Sequence, residues 1–251
     1  MKRIWLTGAS SGIGAALAEV LLEQGHQLAL TARSTAPLQQ LATRFPGQVL
    51  LVPGDLLDSN QVRQIGERIT QHWGALDQVI ANAGTCEYLT PDHFEAALVM
   101  RVVQANLFTA SLTIETALPL LQRGHEPHLV AIGSSVTFLP LPRAGAYGAS
   151  KAALRYLIDS LRIDLDAQGI AVTLVSPGFV DTPLTRRNDF PMPLRWSAEK
   201  AARHIARKLE RRPYEVAFPA LFIACLKLFG HLPKHWQLAL GKRLARPGQE
   251  S

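Results

Sequence analysis

Apolar residues fall along this chain in short runs, separated by stretches in which they return every three to four positions. The runs Arg3–Thr7, Gln27–Thr31, 49–53, Gln78–Ala81, His128–Ile132, 170–175 and 214–218 are four to six residues long. Most are rich in Val, Ile and Leu and stop at Gly, Pro, Asn or Ser, a layout that predicts strands. Helical spacing fills the intervals: over 15–24, from Val62 through Ile65 and Ile69 to Trp73-Gly74, over 95–122, and over 149–165. A further helix is predicted over 197–212, capped by Ser197 with Lys200 three residues on. Strand and helix alternate at short intervals throughout. That rhythm predicts right-handed crossovers and an α/β, Rossmann-like, doubly wound parallel sheet with helices on both faces.

Two stretches break the rhythm. Residues 183–196 carry three prolines together with Arg186, Arg187 and Arg195, and read as an irregular flap where substrate choice would reside. From 216 to 249 there is no acidic residue, while Phe222, Ile223, Leu226, Phe229, Trp236, Leu238 and Leu240 alternate with Lys227, Lys234, Lys242, Arg243 and Arg246. Such a tail suits either an anionic membrane surface or a helix pair packed over the substrate site or against another subunit. The packed helix pair is the expectation. No internal repeat or low-complexity segment is visible.

At 251 residues, 47% hydrophobic and 18% charged, the chain suits one domain spanning 1–251, with a C-terminal helical extension over 219–251. Its two cysteines, Cys86 and Cys225, are far apart and lack a Cys-x-x-Cys pattern, so neither a disulfide framework nor a metal site is indicated. The first strand begins within three residues, without a signal-peptide layout, and no apolar run reaches about 18 uninterrupted residues. A cytoplasmic location is expected. The net charge of +6 suits polyanions, anionic surfaces or phosphorylated cofactors alike. Nucleic acid is not an expected partner, because the basic residues are scattered and no nucleic-acid-binding signature accompanies them.

The first strand runs directly into Gly8-Ala9-Ser10-Ser11-Gly12-Ile13-Gly14 and then a helix. Glycines let the backbone approach a pyrophosphate, and the N–H groups and dipole of the helix start favour its charge. The second strand ends at Ala32-Arg33-Ser34. An acidic residue commonly takes the ribose hydroxyls there in NAD-binding folds, whereas an arginine accommodates a 2′-phosphate, so NADP(H) is expected over NAD(H). Asp55-Leu56 follows the third strand and Asn82-Ala83-Gly84 the fourth. Asn106 is an amide in an apolar stretch of helix and needs partners. Gly133-Ser134-Ser135 ends the fifth strand, where a hydroxyl faces the ligand crevice of an open α/β sheet. Thirteen residues after Ser134 comes Tyr147, with Lys151 four positions on along the same helix face. A neighbouring ammonium stabilises a phenolate and is expected to lower the tyrosine pKa by roughly 1–3 units. Pro177-Gly178 ends the sixth strand and frees the backbone through Val180 and Thr182 to line a cofactor site.

Taken in order, Thr7-Gly8-x-x-x-Gly12-Ile13-Gly14, Asp55, Asn82-Ala83-Gly84, Asn106, Ser134, Tyr147-x-x-x-Lys151 and Pro177-Gly178 resemble the motif set of the short-chain dehydrogenases/reductases. The resemblance covers Arg3 to about Thr182. It implies that Gly8, Gly12, Ile13 and Gly14 bind the cofactor phosphates, Asp55 and Leu56 the adenine, and Asn82 the adenine-side ribose region. It further implies Tyr147 as the general acid in reduction, Lys151 on the nicotinamide ribose, Ser134 on the substrate carbonyl, and Asn106 positioning a water that links Lys151 to solvent. Val180 and Thr182 would contact the nicotinamide end. The implied activity is NADPH-dependent hydride transfer between nicotinamide and a carbonyl or alcohol, with 86–89, 136–142 and the flap as an apolar pocket lining. The implied assembly is a dimer or tetramer with 149–165 as a candidate interface. The rival is a non-catalytic NADP(H)-binding sensor or scaffold. Two departures are visible: Ala81 stands where the family often has a first asparagine, and Ser135 beside Ser134 offers a second candidate hydroxyl.

Overall fold

A computed structural model describes residues 1–89 and 92–244. In chain order the elements are β1 Arg3–Thr7, α1 Gly12–Glu23, β2 Gln27–Thr31, α2 Ala36–Arg44, β3 Val49–Leu51, α3 Ser59–Trp73 and β4 Gln78–Ala81. There follow α4 Ala96–Val103, a π-helical turn at Gln104–Phe108, α5 Thr109–Leu121, β5 His128–Ile132, α6 Gly145–Asp166 and β6 Ala171–Pro177. Then come β7 Val180–Asp181, β8 Trp196–Ser197, α7 Ala198–Leu209, β9 Glu215–Phe218, α8 Ala220–Gly230 and α9 Lys234–Leu244. Seven parallel strands form one sheet in the order β3-β2-β1-β4-β5-β6-β9. The order reverses between β1 and β4, and such a reversal opens a crevice at the carboxyl ends of the strands.

Both sheet faces are covered, which explains why the strands read as unbroken apolar runs. Along β1, Ile4 and Leu6 face one core, shared with Leu17 of α1 and Ile205 and Leu209 of α7. Trp5 faces the other, against helices α3, α5 and α6 through residues such as Ile65, Ile114 and Ile158. Helix ends follow their caps. Asp58 accepts from the N–H groups of Asn60 and Gln61 to start α3, and Gly74, in the left-handed region at φ +72°, ends it. Ser197 accepts from the Lys200 N–H at 3.1 Å to start α7, which stops at Leu209 rather than Arg212.

Two expected elements differ in detail. The helix expected over 95–122 is continuous from Ala96 to Leu121 but widens at Gln104–Phe108, where the Thr109 N–H reaches back to the Gln104 carbonyl. That run is long and apolar enough to cross a bilayer. Its Val102, Asn106, Thr113 and Ala117 side is buried within the fold, as in a core helix. The flap is not wholly irregular: it holds a 3-10 turn at Thr185–Arg187, and β7 pairs with β8 so that both ends are pinned together. Trp196 in β8 stacks on Phe218 with ring centroids 5.0 Å apart.

Across β4, β5 and β6 runs a buried polar ladder. His128 sits between Gln78, 3.0 Å from its Nδ1, and Thr173, 2.8 Å from its Nε2. Thr173 donates its own proton to the Pro213 carbonyl, so Nε2–H donates to Thr173 and Nδ1 accepts from the Gln78 amide. The ring is therefore neutral, and burial holds its pKa down to about 3. An unfolded histidine binds a proton below about pH 6.5, while the folded one resists until about 3, so acidification favours unfolding across that window. This group alone is expected to remove about 2 kcal/mol between pH 7 and pH 5. Denaturant midpoints measured across that range check the slope; a His128→Gln variant is expected to show a shallower one.

Candidate active site

Because the strands are parallel, the segments following β1 to β6 meet along one sheet edge. After β1, Gly8 adopts φ +66° and Gly12 φ +56°, bending the chain into α1. Gly14 lies so close beneath that a Cβ there would sit 2.2 Å from the Gly8 carbonyl oxygen and 2.5 Å from Asn82 Nδ2. Asn82 braces the turn: its Nδ2 donates to the Thr7 carbonyl at 2.9 Å and the Gly8 carbonyl at 3.2 Å, while its N–H donates to Thr7 Oγ1 at 3.0 Å. The Ala83 N–H shares the same hydroxyl at 3.2 Å. Ser11 caps α1 by its backbone alone, and Ser10, Ser11, Gly12 and Ile13 remain open to solvent in part or wholly. A helix N-terminus with its first N–H groups free and its Cβ atoms withdrawn fits a pyrophosphate.

Neighbouring loops complete the cradle. The Ala9 N–H donates to Thr31 at the end of β2, and the Gly54 N–H to Ala32, so the loops after β1, β2 and β3 are tied together. Arg33 is exposed and makes no ion pair among the described residues. Asp55 is half-buried, accepting from the Leu57 N–H at 3.0 Å, and Leu56 is buried. From the other side, Thr182 comes within 3.2 Å of where a Gly12 Cβ would lie. Val180 and Thr182 are buried, and the Gly178 N–H, next to Pro177, donates to the Phe218 carbonyl at 2.7 Å.

The reactive side chains gather at the ends of β4 and β5. Lys151 is buried, and its Nζ donates to the Ile132 carbonyl at 2.8 Å. Asn106 is fully buried in the π turn; its Oδ1 accepts from the Thr85 N–H at 2.7 Å. Its Nδ2 donates to the Thr85 carbonyl and to Ser150 Oγ, both at 2.9 Å. Ser150 Oγ in turn donates to the Tyr147 carbonyl at 2.7 Å, so Asn106 is linked to the helix turn that carries Tyr147 and Lys151. Of the two serines, Ser134 is the one whose side chain acts on the Tyr147 phenol, lowering its pKa. Ser135 is buried in the 3-10 turn that follows.

The electrostatics run opposite to the sequence expectation. The Lys151 ammonium was expected to pull the phenol down, yet burial pushes Tyr147 up to about 12, against a lowering contribution from the Ser134 hydrogen bond. The same loss of water brings Lys151 down to about 8. Desolvation of the charged form is the largest cause in both groups, over the Ser134 contribution at Tyr147 and the Cys86 contribution at Lys151. Cys86 adds to the grouping: burial raises its thiol, against lowering contributions from Tyr88 and Lys151.

Several positioning residues escaped the sequence reading. Ser134 is held by Thr137, whose hydroxyl donates to the Ser134 carbonyl at 3.0 Å, and Thr137 accepts from Arg155 Nε at 3.0 Å. Arg155 is itself fixed by Glu215 and Ser176. Its place four residues beyond Lys151 was the available signal. Tyr88 Oη donates to Asn188 at 2.9 Å, and Arg143 pairs with Asp189 at 2.9 Å, latching the flap onto the segment before the cleft. Aromatic rings continue that wall from Tyr88 to Phe190, Phe179 and Phe222, with centroids 5.6, 6.0 and 5.4 Å apart in turn.

Comparison with known proteins matches residues 2–190 to the family model "short chain dehydrogenase". The chain belongs to the short-chain dehydrogenases. An uncharacterized oxidoreductase of Myxococcus xanthus is 32% identical over 244 residues, covering 96% of this chain and 90% of that protein. Among solved structures, the Pseudomonas aeruginosa RhlG/NADP active-site complex aligns with a TM-score of 0.80 at 27% identity, covering 88% of this chain and 96% of that one. An alcohol dehydrogenase from Thermococcus sibiricus complexed with 5-hydroxy-NADP aligns at 0.78 with 26% identity, covering 87% and 96%. This short-chain dehydrogenase is thus an NAD(P)-dependent oxidoreductase acting on CH–OH groups, built on one Rossmann-like domain.

Proposed function

We propose that this enzyme uses NADPH to reduce an apolar ketone or aldehyde, and runs the reverse reaction on the alcohol. The observation that carries the reading is the gathering of Tyr147, Ser134 and the buried Lys151, next to Gly84, at the strand ends that also carry the open glycine cradle. Gly8, Ser10, Ser11, Gly12, Ile13 and Gly14 would hold the pyrophosphate, Arg33 the 2′-phosphate, Asp55 and Leu56 the adenine, and Lys151 the nicotinamide ribose. Asn82, Ala83 and Gly84 would shape the floor; Pro177, Gly178, Val180 and Thr182 would close the nicotinamide side. The bound nicotinamide supplies or accepts the hydride.

The chain's own residues supply the rest. As charge grows on the carbonyl oxygen, the Ser134 and Tyr147 hydroxyls donate to it, and Tyr147 delivers its proton. A phenol whose pKa lies near 12 is fully protonated at neutral pH, which suits it to act as the acid. The phenolate left on Tyr147 regains a proton from the Lys151 side, Lys151 regains one from solvent, and a water for that relay would rest on the Asn106 backbone, since the Asn106 side chain is engaged by Thr85 and Ser150. The Tyr88, Phe179 and Phe190 wall favours an apolar substrate.

Two named NADP complexes among the similar structures support the cofactor reading. Arg33→Asp is expected to shift the NADPH-to-NADH ratio of kcat/KM by on the order of 10²-fold toward NADH, through a lost charge-assisted contact and a new repulsion. Steady-state kinetics with both cofactors test it, and an unchanged ratio would remove Arg33 from the site. For assembly, the exposed Tyr156 and Ile163 on α6 support a homodimer or homotetramer joined through that helix.

A further inference from the structure

Helix α8 is apolar on both sides. Its inner face packs into the fold: Ile223 and Leu226 are buried, Phe222 meets Phe179, and Gly230 lies so close to Phe138 that a Cβ would sit 2.2 Å from its carbonyl oxygen. Its outer positions Leu221, Ala224, Cys225 and Leu228 recur at the spacing of one helix face and are all exposed. Leu221 is 66% and Leu228 65% exposed. The one charged side chain of the helix, Lys227, turns back over the Phe138 ring and toward Glu215, 3.5 Å away, leaving that stripe without a charge. A surface helix normally presents its polar side to water.

Helix α9 adds the charge, with Leu238 on one face between Lys234 and Lys242. Trp236 and Leu238 are each 60% exposed, among the exposed cations Lys234, Lys242 and Arg243. Over 216–249 the sequence holds five Lys and Arg residues and no Asp or Glu. This charge pattern selects the occupant. A second copy joined symmetrically through the same face would set one acid-free basic face against another. A surface of anionic headgroups complements the cations, while the leucines enter the headgroup–acyl boundary.

We propose that α8 and α9 dock this enzyme peripherally on an anionic lipid bilayer. The outer stripe of α8 and Leu238 of α9 meet the acyl boundary, and Lys234 and Lys242, four positions either side of Leu238 on the same face of α9, meet the headgroups. The contact is reversible and does not span the membrane. It stands independently of the carbonyl substrate.

The test is sedimentation of the full chain with vesicles of phosphatidylcholine alone or mixed with phosphatidylserine, at low and high salt. Two double variants at exposed positions accompany it: Leu221→Asp with Leu228→Asp, and Lys234→Glu with Lys242→Glu, each checked for unchanged melting. Wild type is expected to sediment with the anionic vesicles, less at high salt. Losing two cations is expected to weaken partitioning on the order of 30-fold or more, and the aspartate pair to abolish it. Failure of the wild type to bind anionic vesicles overturns the proposal, as does binding that neither variant weakens. So does an aspartate pair that lowers the oligomer size of a wild type that ignores vesicles, because the face is then a subunit contact.

Discussion

Tyr147→Phe is expected to lower kcat for carbonyl reduction by about 10²- to 10⁴-fold while leaving NADPH affinity within a few-fold of wild type. The substitution keeps the ring and removes both the proton and one of two donors aimed at the developing oxyanion. Ser134 loses its phenol partner but stays fixed from behind, because Thr137 and the Arg155–Glu215 pair hold its turn. Ser134→Ala should therefore be milder, and the two changes should not add, since both hydroxyls serve one oxygen. Single-turnover rates with saturating NADPH separate chemistry from binding. A Tyr147→Phe enzyme that reduces its substrate at nearly the wild-type rate would remove Tyr147 from the mechanism.

Gly14→Ala should produce the second large effect, through the backbone. The added Cβ would lie 2.2 Å from the Gly8 carbonyl oxygen and 2.5 Å from Asn82 Nδ2, and neither can yield freely. Gly8 is held in the left-handed region, and Asn82 ties the Thr7 and Gly8 carbonyls to the end of β4. Either α1 retreats from β1 or the turn opens, and both move the N–H groups that would face the pyrophosphate. NADPH affinity is expected to fall by about 100-fold, since loss of aligned charge-assisted bonds amounts to about 1.5–3 kcal/mol. Stability should drop by about 1–3 kcal/mol through overpacking. Fluorescence titration and denaturant unfolding read the two effects apart; wild-type affinity in this variant would contradict the assigned cradle.

What could be read in the sequence has a physical explanation. The inner strands were legible because they are buried on both faces, so Ile4, Trp5 and Leu6 are all apolar although they enter two different cores. The glycine turn and the Tyr147–Lys151 spacing were legible because they are local, lying within one turn or one helix face. The π turn was not, since one wider turn hardly disturbs the apolar spacing of the 95–122 helix. Asn106 visibly needed partners, but Thr85 and Ser150 stand 21 and 44 residues away, and only the fold chooses them. The flap latch rests on single pairs, Tyr88 with Asn188 and Arg143 with Asp189, which carry no periodic signal. The Tyr147 shift runs opposite to expectation for a related reason: the spacing to a cation is visible in a sequence, whereas the burial that raises the phenol is not. Arg246 and the rest of 245–251 in the basic tail lie outside the described residues.

The central claim is that these groups jointly transfer hydride and proton to an apolar carbonyl. Its most direct test is incubation of the enzyme with NADPH carrying deuterium at the transferable position of the nicotinamide. A panel of hydrophobic ketones, aldehydes and 3-oxoacyl thioesters is supplied, and the products are read by mass spectrometry. The account predicts an alcohol bearing the deuterium on its carbinol carbon, formed by the wild type and nearly absent with Tyr147→Phe. Tight NADPH binding with no deuterated alcohol from any member of the panel would contradict it and favour a cofactor-binding sensor instead.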